Sequence, residues 1–410
     1  MTDARPGAPG FRPDGRGPGR GTRRGRGVRV GVAAAVVVCV AALLVDLSYV
    51  RDRVGLSAPR PVVATALDGP RPVVVVAGPG PTLRRVDPAT GDVLDTTPTP
   101  GEVVRALTVV TVDGRARIAT GDQDGRVAMR DLETGDPVDG TLGSHDGAVT
   151  SLVATRLPYE GRTVGRPEPY DGGPGLASGG EDGTVRMWDA SGGSRQTLLD
   201  RIRSEARATG AVRAIAADTT AVEQTYGAYD TSLGVIVRTS LVVGTADGLV
   251  LPYAAYTGGG SGNGGRAVSA SGGVTAVTAV HPPDGAVPRY GDPRRLLLFA
   301  AGYGDGSIRV LTEISYSEQL PMSTPRDVAR GPVTSLQTRR LPGGDAVVAA
   351  YADGTVTRMG PTLAEGPVET TTLPAAARGG YAVATTVVGG RLVVVAAFGD
   401  GSITRWMPDG

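Results

Sequence analysis

The chain has 410 residues, of which 40% are hydrophobic, 4% aromatic and 20% charged, and its formal net charge is +1. A charge so near zero gives no global field that would select nucleic acid or acidic ligands. The single cysteine, Cys39, excludes an intramolecular disulfide, and two histidines without further thiols cannot supply a usual zinc set.

Residues 1–29 are rich in Gly, Pro and Arg and show no apolar pattern. They predict a disordered tail. Their "RGPGRGTRRGRG" also has the composition of a nucleic-acid-binding arm, but the next segment gives the arginines a simpler reason. Residues 30–45, "VGVAAAVVVCVAALLV", form an unbroken apolar run. As a helix that run spans about 24 Å, and extension to Val50 brings it to about 31 Å, enough for a hydrocarbon core of about 30 Å. Eight arginines precede the run, whereas Arg51 and Arg53 alone follow it closely. That asymmetry predicts a cytoplasmic N-terminus and an extracytoplasmic remainder. The nearest small-x-small site lies well beyond the run, which favours an uncleaved signal-anchor over 30–50 against a signal peptide. Residues 51–60 then form a short connector.

From residue 61 onward the chain repeats. "SGGEDGTVRMWD" turns on an Asp-Gly pair between alternating runs, a strong hairpin signal. The same turn recurs in "ATGDQDGRVAMRD", "VVGTADGLVLPYA", "AAGYGDGSIRVLT", "AAYADGTVTRMG" and "VAAFGDGSITRWM". A degenerate first copy, "VAGPGPTLRRVD", brings the number of units to seven. Each unit opens with a strand such as "GAVTSLVAT" or "GPVTSLQTR". Four strands repeated in this way predict an all-β, seven-bladed β-propeller of four-stranded blades over 61–410.

The third unit, "GSHDGAVTSL" followed by "SGGEDGTVRMWD", resembles the WD40 repeat family. The resemblance implies that His145, Ser178, Asp182 and Trp188 form the structural tetrad of that family inside one blade. A buried indole N–H must find an acceptor, which explains a tryptophan at this place. Elsewhere the pattern thins. The Trp register holds Arg130, Tyr253, Leu311, Met359 and Trp406, so most units are expected to be held by apolar packing. The resemblance also implies ring closure by a borrowed outer strand. Residues 54–58 are the candidate, beside 404–407.

His145, Ser178 and Asp182 superficially offer triad chemistry, but the resemblance assigns them to structure. "GDQDG" at Gly121 opens like a calcium loop and lacks the later acidic ligands. "VDPATGDVL" and "DLETGDPV" resemble turns of quinoprotein propellers without their repeated Trp. No catalytic residue, cofactor or metal is expected. Three long insertions, at 156–175, 218–234 and 281–295, fall in consecutive units. They hold Tyr159, Tyr170, Tyr226, Tyr229, Arg289 and Tyr290, and Tyr with Arg is the composition of interface hot spots. Insertions also persist by drift, because lengthening a loop costs little. The reading is a membrane-anchored, non-catalytic scaffold for a protein or peptide, another membrane protein among the candidates, with no nucleic acid. A quinoprotein-like oxidoreductase and a scaffold facing the cytoplasm are the alternatives. Oligomeric state is left open.

Overall fold

The computed structural model describes residues 61–408 apart from 69–70, 79, 158–172, 193–195, 199–209, 227–230, 257–260, 263–267, 270–271, 281–297, 313–330, 342–343, 361–366 and 374–380. The expected basic tail, apolar segment and connector all lie outside the described residues. So does the closing strand expected at 54–58.

The described residues form seven antiparallel sheets, all within the compact unit Ala58–Gly410. The first contains β1 (Val62–Asp68), β2 (Arg71–Ala77), β3 (Thr82–Val86) and β4 (Val93–Pro98). The second contains β5 (Val104–Val112), β6 (Arg115–Asp122), β7 (Arg126–Asp131) and β8 (Pro137–Ser144). The third contains β9 (Val149–Arg156), β10 (Pro174–Gly180), β11 (Val185–Asp189) and β12 (Gln196–Leu198). In the fourth, β13 (Val212–Tyr226) pairs with β14 (Thr231–Thr245) and β14 with β15 (Leu249–Tyr256). Two short strands, β16 (Ser261–Gly262) and β17 (Val268–Ser269), both pair with β15. The fifth contains β18 (Val274–Val280), β19 (Leu298–Tyr303) and β20 (Ile308–Thr312). The sixth contains β21 (Val333–Leu341), β22 (Gly344–Tyr351), β23 (Thr355–Met359) and β24 (Pro367–Thr372). The seventh contains β25 (Tyr381–Val388), β26 (Arg391–Phe398) and β27 (Ile403–Trp406).

This corrects the expectation of seven four-stranded blades closed into a propeller. Among the described residues the sheets hold four, four, four, five, three, four and three strands. Among the described residues no ladder joins one sheet to another, and none of their strands completes the last sheet. Among the described residues, no helix is long and apolar enough to cross a membrane. Pro408 lacks an N–H and stops the ladder after β27. The insertion at 218–234 also differs from the expected loop: it lengthens β13 and β14, paired from Asp218↔Ser240 out to Tyr226↔Thr231.

Burial explains the composition of the second strands. β22 and β26, "GDAVVAAY" and "RLVVVAAF", are buried at every position but the first. Such strands are covered on both faces and read as continuous runs of small apolar residues rather than as alternation. First strands pack side by side in chain order, and β25 packs against β1. The core clusters accordingly straddle neighbouring sheets: Val74, Val76 and Val86 of the first sheet pack with Ala384, Val393 and Val395 of the seventh.

The Asp-Gly turns share one construction. Gly125, Gly183, Gly248, Gly306, Gly354 and Gly401 take φ between 75° and 90°, where a side chain is strained. Each donates its N–H back to the residue three earlier, as Gly183 does to Gly180 O at 3.1 Å. In four of the six the turn Asp then accepts the N–H two residues on, as Thr184 donates to Asp182 at 2.9 Å, Ser307 to Asp305 at 2.9 Å, Thr355 to Asp353 at 2.8 Å and Ser402 to Asp400 at 2.8 Å; at the other two the N–H of Arg126 goes to Asp122 Oδ1 and that of Leu249 to Thr245 Oγ1. This is the Asx-turn chemistry that makes Asp-Gly-Ser/Thr a turn signal.

Adjacent sheets are keyed at one recurring place. A Cβ at Gly121, Gly179, Gly244 or Gly302, near the ends of the second strands, would overlap the side chain of Val149, Val212, Val274 or Val333. Each of these valines begins the first strand of the next sheet. In the sixth sheet the glycine is replaced by Ala350, and the residue beginning the following sheet is Tyr381. Its hydroxyl donates to Tyr351 O at 2.6 Å and accepts the Tyr351 N–H at 3.1 Å.

Candidate functional site

Four side chains from one repeat meet in the third sheet. Ser178 lies on β10 and Trp188 diagonally across from it on β11, since Leu176↔Trp188 and Ser178↔Arg186 are the direct pairs. Asp182 occupies the turn between these strands. His145 lies in the segment entering β9, held by its N–H to Gly125 O at 2.9 Å, in the turn of the preceding sheet.

Trp188 Nε1–H donates to Ser178 Oγ at 2.7 Å, and Ser178 Oγ lies 2.7 Å from His145 Nε2. His145 Nδ1 lies 3.2 Å from Asp182 Oδ1 and 3.0 Å from Thr184 Oγ1. One tautomer satisfies every group: Ser178 O–H donates to Nε2, and Nδ1–H donates to the carboxylate. Thr184 N–H and Oγ–H both donate to Asp182 Oδ1, and Asp146 N–H donates to Oδ2 at 3.1 Å. Arg186 Nη2 lies 3.8 Å from the same carboxylate.

The electrostatics follow from burial. Desolvation holds the His145 pKa below its ordinary value, against the opposing pull of Asp182. The ring is therefore neutral at pH 7. For Asp182, desolvation alone would raise the pKa, but the hydrogen bonds from Thr184 and Asp146 outweigh it and leave the carboxyl below its usual range. Ser178 is 0% exposed and its oxygen is engaged by both indole and imidazole. A nucleophile must meet its substrate, and this hydroxyl is enclosed. The arrangement suits the holding of β9, β10 and β11 in one register.

Two glycines make the site possible. A Cβ at Gly143 on β8 would land on the six-membered ring of Trp188, so the indole covers bare backbone of the second sheet. A Cβ at Gly180 would meet His145 Nδ1 and Asp182 Oδ1. Neither contact, nor the part played by Thr184, has a sign in the sequence beyond the Asp-Gly-Thr turn. In the second sheet the Trp register holds Arg130, which is buried. Its Nη2 donates to Glu102 Oε1 at 2.7 Å and its Nη1 to Gly135 O at 3.2 Å. In the seventh sheet Trp406 is half-buried against the cluster that contains Tyr381 and Phe398.

The candidate contact residues Tyr159, Tyr170, Tyr229, Arg289 and Tyr290 lie outside the described residues, as does His281. Tyr226 ends β13 opposite Thr231. At "GDQDG", Asp122 Oδ1 accepts the Arg126 N–H at 2.8 Å. Among the described residues no group of three or more His, Cys, Asp or Glu side chains is placed to hold a metal ion. In "VDPATGDVL" and "DLETGDPV", Asp87 and Asp131 each accept N–H groups of their own turn, Ala89 at 2.7 Å and Glu133 at 2.8 Å. The Asp131 pKa is lowered first by the bond from Thr134.

No curated protein matches the chain. Residues 138–189 match the family model described as WD domain, G-beta repeat. The matched stretch runs from within β8 to the end of β11 and contains Gly143, His145, Ser178, Asp182 and Trp188, so this part of the chain is similar to a WD40 repeat.

Proposed function

We propose that the protein is a non-catalytic scaffold that binds a protein or peptide and is held at the membrane by residues 30–50, with its β-sheets on the extracytoplasmic side. The observation that carries the reading is the WD40 repeat at 138–189, since such repeats generally mediate protein–protein interaction. The proposed organisation is a cytoplasmic Arg-rich tail over 1–29, the anchor over 30–50, a connector over 51–60 and the repeats over 61–410. Orientation rests on the eight arginines before the apolar run against two just after it. Tyr159, Tyr170, Tyr226, Tyr229, Arg289 and Tyr290 are the proposed contact residues.

Two measurements test this. Alkaline phosphatase fused after Gly410 is expected to be active in intact cells; a reporter that works only in the cytoplasm sinks the orientation. Photocrosslinkers at Tyr229 and Tyr290 are expected to capture a partner in intact membranes, with Gln123 and Ala352 in the tight turns as controls. Capture from the controls alone would move the binding surface elsewhere.

A further inference from the structure

An Asp-Gly pair can rearrange its own backbone. The Gly nitrogen attacks the Asp Cγ and closes a five-membered succinimide, while its proton and one carboxyl oxygen leave as water. Water then reopens the ring at either carbonyl. One opening restores aspartate, and the other gives isoaspartate, whose main chain runs through Cβ and Cγ. The sequence of steps is neutral in electrons and takes no cofactor. It needs a Gly N–H and an Asp carboxyl that are both free to meet.

In six tight turns they are not. The N–H groups of Gly125, Gly183, Gly248, Gly306, Gly354 and Gly401 donate to the carbonyl three residues earlier, at 2.9–3.3 Å. The carboxylates of Asp182, Asp305, Asp353 and Asp400 also accept the N–H two residues on. Asp247 accepts the hydroxyl of Thr245.

Asp113-Gly114, between β5 and β6, is built differently. The pair Val112↔Arg115 closes the turn and leaves these two residues at its tip, both exposed. Among the described residues the Asp113 carboxylate accepts no hydrogen bond, and the Gly114 N–H has no acceptor. A Cβ at Gly114 would meet nothing within 4 Å, so the nitrogen lies in open space. Asp113, at φ 50°, is also the one non-glycine residue with positive φ among the described residues.

We infer that Asp113 is a modification site, converted to isoaspartate through a succinimide with Gly114, and that the fold protects the Asp-Gly pairs of the tight turns. Reaction at Asp305, Asp353 or Asp400 first requires the loss of two hydrogen bonds, which should slow it roughly thirtyfold relative to Asp113. The product adds a methylene to a two-residue turn and leaves an α-carboxylate on the surface. That group is the substrate of enzymes that methylate isoaspartyl carboxylates. The inference stands independently of the scaffold reading.

The test is to age the purified full chain at neutral pH and 37 °C and to map isoaspartate by proteolysis and electron-transfer mass spectrometry. Isoaspartate is expected to accumulate at 113 at least several-fold ahead of 305, 353 and 400. In urea the four sites should converge, because the protection belongs to the fold. Asp113→Glu, which cannot close the five-membered ring, should abolish the product at that place. Asp113→Asn, which suits the same backbone conformation, should lose ammonia and yield isoaspartate there faster than wild type. Equal native rates at the four sites, a preference for 113 that persists unchanged in urea, or an unmodified Asn at 113 in a folded variant would each overturn the assignment.

Discussion

Replacing Ser178 by Ala removes the hub of the buried network. The hydroxyl accepts from Trp188 Nε1 and donates to His145 Nε2, both at 2.7 Å. Trp188 is 3% exposed and His145 4%, so neither recovers a partner from solvent. A buried polar group left unpaired costs about 1–3 kcal/mol, which puts Ser178→Ala at about 2–6 kcal/mol for two such groups. Trp188→Phe alone leaves Ser178 bonded to His145; it loses one hydrogen bond of about 1 kcal/mol plus the packing of the missing ring atoms on Gly143. In the double variant the stranded indole no longer exists. The sum of the single costs counts the indole bond twice and adds an orphan that is gone, so the double should fall about 2–4 kcal/mol below that sum. Urea melts followed by far-UV circular dichroism give the global value, and hydrogen exchange of the β10 amides gives the local one. Additivity to within about 0.5 kcal/mol would refute the shared-hub reasoning.

The pH dependence of the same network has a definite sign. The folded-state pKa of His145 is depressed, so the unfolded chain binds more protons as pH falls below about 6.5. Stability from this group is fully present above that value and declines on acidification, by at most about 1.4 kcal/mol per pH unit. A His145→Gln variant should flatten the decline between pH 7.5 and 5 in thermal melts, and an equal slope in both proteins would rule out the assignment. Tyr381→Phe removes a hydroxyl that both donates to and accepts from the Tyr351 backbone, at a cost of about 1–3 kcal/mol. Tyr303→Phe, whose buried hydroxyl has no hydrogen-bond partner among the described residues, should be neutral or stabilising in the same melts. Gly143→Ala drives a methyl into the Trp188 ring and should destabilise by about 1–3 kcal/mol with a red-shifted tryptophan emission; unchanged emission would contradict the close approach.

Turns are legible in the sequence because their chemistry is local. Asp-Gly-Ser/Thr carries its own cap and its own left-handed residue, so Asp182, Asp305 and Asp400 locate hairpins without reference to the rest of the chain. The two-residue turns Asp113-Gly114 and Gly389-Gly390, with φ of 50° and 76° and of 56° and 80°, follow the same logic between first and second strands. Strand number is less legible. Whether an outer segment pairs depends on a neighbour across the sheet, and the polar run in β13 and β14 reads as a loop until its partner is known. Contacts between sheets are the least legible. Nothing near Arg339 in the sequence points to Thr65, 274 residues away, and nothing near Trp188 points to Gly143.

The glycine–valine junctions bear on how such a chain can be lengthened or recombined. A segment cut from one junction valine to the next carries a protruding methyl pair at its start and a matching recess near the end of its second strand. The segments beginning at Val149, Val212 and Val274 have both halves and present the same fitting to either neighbour. They are interchangeable parts in the geometric sense, and a duplicated one would seat without redesign of its borders. The segment beginning at Val333 is an adaptor. It accepts the common fitting upstream, at Gly302, but its own recess holds Ala350 and receives an aromatic ring that bonds the turn backbone. Growth by duplication is therefore open in the middle of the chain and barred at the junction before Tyr381.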